Sequence, residues 1–314
     1  MASIDTQKTK TSNSEDWGDF WSRSAIDACT AQFPDDARKT IADHWRGIFA
    51  ALPDGISILD VATGRGAVLH LAQNTLPSLN GVSMLGVDQA EIETAALPAG
   101  DAAPIVIKGG IDAADLPLPD GAFDLVTSQF GLEYADFHRA LGECIRVCRG
   151  RFVALVHAAD GIVVRQNGAQ SGQIGWLMGE IGFTRLLKDH FAAPSRTSAG
   201  HMDHALTAIR ERARTEENPG MLAKLYNDAL ELQNLAARYP VAEILNMIDG
   251  MEYRMAAHAM RMRALADAGR DANEMQAAAA LLEAAGFAAP SLAPERTQSG
   301  HLVGWWIDAA RTAP

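Results

Sequence analysis

The chain has 314 residues, of which 48 % are hydrophobic and 21 % charged, so it can bury a sizeable core and is neither a disordered nor a fibrous polymer. A formal net charge of −12 repels phosphate backbones and anionic membrane surfaces, which argues against nucleic acid as a partner. Cys29, Cys144 and Cys148 form no disulfide framework or zinc knuckle, and neither a signal peptide nor a run of about 18 apolar residues is present, so a cytoplasmic protein with no membrane span is expected.

Residues 1–14 are polar and rich in Ser, Thr and Lys and read as a disordered tail. Trp17, Phe20, Trp21 and Ile26, then Ile41, Trp45, Ile48 and Phe49, recur at helical spacing. They predict two helices packed on a sheet, with Phe20 or Trp21 as the alternative cap over a bound ligand. Short apolar runs follow at Ile56–Val61, Val82–Val87, Ile105–Ile107, Phe123–Thr127 and Phe152–Val156. Helical stretches at Ala67–Asn74, Glu91–Ala96 and Phe137–Val147 alternate with them, the pattern of a doubly wound parallel sheet with right-handed crossovers.

After Ala159 the strand signal stops until about Arg270. One helical face there carries Val241, Ile244, Ile248, Met251, Met255 and Met262, and another Ile174, Leu177, Met178, Ile181 and Leu186. A helix at Met275–Ala285 and strands at Ala288–Leu292 and His301–Ile307 restore the sheet pattern. The expected fold is therefore α/β, a Rossmann-like seven-stranded, mostly parallel sheet with a large helical insertion after the fifth strand. Residues 15–160 and 271–314 would form the sheet domain, and 161–270 the insertion.

Ile58-Leu59-Asp60-Val61-Ala62-Thr63-Gly64-Arg65-Gly66 runs from a buried strand into a glycine turn and a helix, where backbone amides can approach a ligand. The third glycine of a dinucleotide fingerprint is missing, its place being taken by Leu69, which argues against a nicotinamide oxidoreductase. The second strand ends in Leu85-Gly86-Val87-Asp88, a carboxylate at the edge where a ribose diol is held in open parallel sheets. The third is followed by Asp112-Ala113-Ala114-Asp115-Leu116-Pro117.

In order and spacing, LDVATGRG, GVD, DAADLPLPDGAFDLV and SQFGLEYAD resemble the class I S-adenosylmethionine-dependent methyltransferases, particularly the ubiquinone and menaquinone biosynthesis branch. The resemblance covers residues 56–158 and resumes in LLEAAGF and GHLVGWWIDAAR. It implies that Ala62, Gly64 and Gly66 line the methionine and ribose of adenosylmethionine, with Asp88 on the ribose hydroxyls and Gln89 beside the adenine. Asp112 would take the adenine amino group, the Ala113 backbone would support the ring, and Gln129 and Phe130 would lie near the sulfonium. Asp60 would be structural. The same fold also hosts proteins that bind adenosylmethionine without methylating, the alternative function. Ser128-Gln129-Phe130-Gly131 stands where base-amine methyltransferases carry an NPPY-type tetrad.

Methyl transfer, with S-adenosylhomocysteine as product, needs mainly an acceptor held in line, plus a base where the acceptor is a phenol or alcohol. His157, closing the fifth strand, is the candidate base, and Glu133 and Tyr134 could orient an acceptor. The expected acceptor is an apolar or aromatic small molecule methylated on oxygen, with nitrogen and carbon as the other options. His201, Asp203 and His204 have spacing that accident explains, and no metal is expected. The insertion reads as a substrate lid, its methionines and Tyr226, Asn246, Tyr253 and Arg254 available to an acceptor, or as a homodimerisation element.

Overall fold

The computed structural model describes residue 26, residues 29–92 and residues 105–312. The expected tail 1–14, Phe20 and Trp21, and all but the first two residues of the predicted helix Glu91–Ala96 lie outside them, and Glu91 and Ile92 are not helical.

Seven strands, β1 (Ser57–Val61), β2 (Ser83–Val87), β3 (Ile105–Lys108), β4 (Phe123–Gln129), β5 (Cys148–His157), β6 (Ser291–Arg296) and β7 (Leu302–Ala310), form one sheet in the order β3-β2-β1-β4-β5-β7-β6. The strands through β5 pair in parallel, and β7 lies antiparallel between β5 and β6. This is the expected Rossmann-like, mostly parallel sheet. Strand order reverses between β1 and β4, which opens a crevice at their carboxyl ends, the place where such sheets bind ligands.

Helices α1 (Asp35–Ala50) and α2 (Ala67–Gln73) pack together, α1 touching β6 and α2 touching β2 and β4. Trp45, Phe49 and Leu69 are buried there, as the helical spacing of the first two predicts. Helix α3 (Phe137–Val147) begins at Asp136, whose side chain accepts from the Arg139 amide, and packs against β4 and β5. Its apolar face meets a core of Leu59, Val61, Val126, Phe152, Val156 and Ile307.

Strand β5 begins four residues before the apolar run that the sequence marks. The polar residues at its start are satisfied across the sheet: Arg151 forks Asp308 of β7 at 2.8 and 2.5 Å, and Arg149 forks Asp124 of β4 at 2.8 Å twice. Pro294 is tolerated in β6 because that strand is at the sheet edge and pairs on one side only.

Between β5 and β6 come α4 (Ile162–Trp176), a π-helical turn (Leu177–Ile181), α5 (Phe183–Ala192), α6 (Arg196–Ala213), α7 (Gly220–Ala236), α8 (Val241–Ala268) and α9 (Ala272–Ala284). The chain divides into two compact units: the sheet unit runs to Val164 and resumes at Ala268, and Arg165–Asp267 form the other. The second unit has its own core of Ile174, Phe183, Ile209, Leu222, Ile248 and Met251. Within the predicted apolar face of α8, Ile244, Ile248, Met251 and Met255 are buried, whereas Val241 at its start is half exposed. No helix among the described residues is long and apolar enough to cross a membrane.

Candidate active site

The glycine turn after β1 departs from ordinary backbone geometry at three positions, with φ of +55° at Ala62, +52° at Gly64 and +82° at Gly66. Ala62 carries a side chain in a region that costs a non-glycine residue of order 1–3 kcal/mol, strain of the kind that gathers at functional sites. Two carboxylates hold the turn. Asp60, buried in β1, accepts from the hydroxyls of Thr63 at 2.6 Å and Thr127 at 2.8 Å. Asp88, at the end of β2, accepts from the Gly64 amide at 2.7 Å and from the Ala90 amide at 2.9 Å.

Burial pushes the Asp60 carboxyl up to about 7 against its hydroxyl donors, and raises Asp88 against its backbone donors. Gly86, opposite Asp60 in β2, leaves room for Thr63, whose side chain lies 2.6 Å from where a Cβ would stand. After β3, Asp112 accepts from the Ala114 amide at 2.9 Å; it and Gln89 are half-buried, and Ala113 is buried.

At the end of β4 the Gln129 amide oxygen accepts from the Trp45 indole at 2.6 Å, and its nitrogen lies 3.9 Å from Cys29 Sγ. Phe130 follows at φ +51°, its ring 4.3 Å from that of His157 and 5.0 Å from that of Phe33. Gly131 sits where a Cβ would be 2.5 Å from the Cβ of Ala62, so β4 and the glycine turn touch through a residue that must lack a side chain.

His157 is 2 % exposed, and its Nδ1 lies 2.7 Å from Oε1 of the equally buried Glu133. Glu133, read from the sequence as orienting an acceptor, thus faces His157. Tyr134 stands edge-on to His157 at 6.0 Å, and burial beside Glu133 holds its phenol protonated well above the ordinary value. It is a hydroxyl, not a base.

The sheet edge brings together Ala62, Gly64, Asp88, Phe130, Glu133 and His157, linked by the contacts above. The sequence reading missed Trp45, Thr63, Thr127, Phe33 and Arg270; the two threonines carried a signal, since Thr63 lies within the glycine turn and Thr127 within the apolar run of β4. Outside this region, His201, Asp203 and His204 are all exposed, as are Asn246, Tyr253 and Arg254, and Tyr226 packs against the core of the second unit.

Residues 59–153 match the family described as "Methyltransferase domain". A demethylmenaquinone methyltransferase of Thermus thermophilus is 40 % identical over 103 residues, which are 31 % of this chain and 46 % of that protein. A ubiquinone/menaquinone biosynthesis C-methyltransferase of Methylobacterium nodulans is 37 % identical over 106 residues, 31 % of this chain and 40 % of that one. The likeness to methyltransferases is thus carried by residues 59–153. The chain matches less than half the length of these curated relatives. A solved S-adenosylmethionine-dependent methyltransferase of Mesorhizobium loti is 27 % identical, with a TM-score of 0.30, covering 38 % of this chain and 55 % of that one.

The cofactor that this similarity implies is S-adenosylmethionine, and the residues present fit it. A Cβ on Gly66 would stand 2.9 Å from Ile107 Cδ1, so the turn closes tightly on β3 and leaves its backbone to the ligand side. Asp88 just after β2 and Asp112 after β3 are acceptors, suited to the hydroxyl and amino donors of an adenosine.

Proposed function

We propose that the chain transfers a methyl group from adenosylmethionine to an oxygen, ahead of nitrogen or carbon, of an apolar or aromatic small molecule. The observation that carries this reading is the buried Glu133–His157 pair at the carboxyl end of β5, on the same sheet edge as the glycine turn. Bound adenosylmethionine supplies a methyl group made electrophilic by its sulfonium. Ala62, Gly64, Gly66, Asp88, Gln89, Asp112 and Ala113 would hold it, and Gln129, fixed by Trp45, would border it. His157 would take the proton of a hydroxyl acceptor, and the rings of Phe33, Phe130 and Tyr134 would exclude water around that transfer.

The relatives are named for demethylmenaquinone and for ubiquinone/menaquinone biosynthesis, so quinols, which carry phenolic hydroxyls on an apolar body, are the first acceptors to assay. A net charge of −12 favours such acceptors over nucleic acids. His157→Gln should reduce turnover about 10²–10⁴-fold and leave adenosylmethionine affinity within a factor of about two, as a base does. Asp88→Asn should do the reverse, weakening calorimetric binding about tenfold or more through loss of charge-assisted bonds. Full turnover in His157→Gln would remove the base; a cofactor that binds without turnover on any quinol, phenol or alcohol would leave a binding protein.

A further inference from the structure

Two donors of one residue meet one oxygen at this site. The main-chain nitrogen of His157 donates to Glu133 Oε1 at 2.7 Å, and the ring Nδ1 of His157 lies 2.7 Å from that same oxygen. An amide N–H can only donate, so Oε1 acts as an acceptor, and a ring nitrogen facing an accepting oxygen at this distance carries the hydrogen. The lone pair of the neutral ring then belongs to Nε2. Glu133 Oε2 is buried and makes no hydrogen bond among the described residues, so His157 is the carboxyl group's side-chain partner.

A third residue fixes the two main chains. Arg270 donates from its backbone nitrogen to the His157 carbonyl at 2.8 Å and from Nη2 to the Glu133 carbonyl at 2.8 Å. Its own carbonyl accepts from Ala159 at 3.0 Å. The guanidinium is braced over the Phe137 ring at 5.1 Å and by Glu274 at 3.0 Å. One residue therefore holds, by its main chain, the strand end that carries the histidine and, by its side chain, the turn that carries the glutamate.

We propose that Glu133 and Arg270 are positioning residues that keep His157 in the Nδ1–H tautomer, so that Nε2 is the atom open to an acceptor's proton. This rests on the reading of His157 as the base. Glu133 supplies the acceptor that selects the tautomer, and Arg270 holds that acceptor in register with the ring.

The test is nitrogen NMR of the full-length chain labelled with ¹⁵N-histidine, recorded at alkaline pH where imidazoles are neutral. The His157 signals are identified by their loss in His157→Gln. The wild type should show a protonated Nδ1 and a bare Nε2. Glu133→Leu should raise the Nε2–H form about fivefold, the shift expected from losing one hydrogen bond, and Arg270→Ala should move it in the same direction. Thermal unfolding reports whether each variant folds; if Glu133→Leu does not, the wild-type spectrum and Arg270→Ala decide. A bare Nδ1 in the wild type, or a tautomer unchanged in the folded variants, overturns the proposal. The two readings fail separately: full turnover in His157→Gln ends the base whatever the tautomer, and a bare Nδ1 ends the positioning whatever the turnover.

Discussion

Asp60 is a carboxyl group taken out of water with two hydroxyls for company. Folding raises its pKa from 3.8 to about 7, so between those values the folded chain keeps a proton that the unfolded chain releases. Stability from this group is thus full below pH 4 and is lost as pH rises to 7, beyond which the cost stays constant. Asp88, also raised, acts with the same sign. Denaturant unfolding from pH 5 to pH 8 should show the wild type losing stability relative to Asp60→Asn, by up to about 3 kcal/mol, the worth of the two pH units between 5 and the folded-state value. A difference between the two that stays flat with pH would mean that Asp60 remains ionised in the fold. At this scale Asp88, Asp112 and His157 stand out in the sequence because each ends or follows an apolar run, and Asp60 because it interrupts one. Trp45 and Arg270 do not: their partners Gln129 and Glu133 lie far along the chain, and only folding brings them together.

The turn after β4 is the most constrained element of the site. Gly131 has φ −146°, open to any residue, so its need for glycine is steric, set by Ala62 at 2.5 Å. Gly131→Ala should cost about 1–3 kcal/mol of stability through backbone displacement and weaken cofactor binding, because the glycine turn and Glu133 are both pushed. An alanine variant with wild-type melting temperature and affinity would show that the two loops yield independently. The helix over 137–147 was readable to the residue, its cap at Asp136 and its entry into β5 both being sharp. Strand β5 was half hidden, since Arg149 and Arg151 look like surface residues until Asp124 and Asp308 come alongside. Strand β6 was placed too early because its proline reads as a breaker.

Each of the two units has a core of its own, one centred on the sheet and one on Ile174, Phe183 and Ile248. The chain leaves the sheet unit and re-enters it at neighbouring points, since Ala158 and Arg270 bridge and the Ala159 amide bonds to the Arg270 carbonyl. Replacing residues 165–267 by a short Gly-Ser linker should therefore leave a sheet unit that unfolds cooperatively and binds adenosylmethionine within about threefold of the intact chain, loop closure being a weak function of length. Loss of all binding would show that the second unit supports the sheet.

The place of β7 between β5 and β6 also sets an order of events on the ribosome. The strand that ends in His157 emerges with one edge already joined to β4, while its other neighbour waits until the whole second unit has been made. For that interval the nascent chain exposes an unpaired edge of Phe152-Val153-Ala154-Leu155-Val156, a stretch apt to pair with any passing strand. Compaction of residues 165–267 around their own core would shorten the loop that β7 must close, not the time taken to make it.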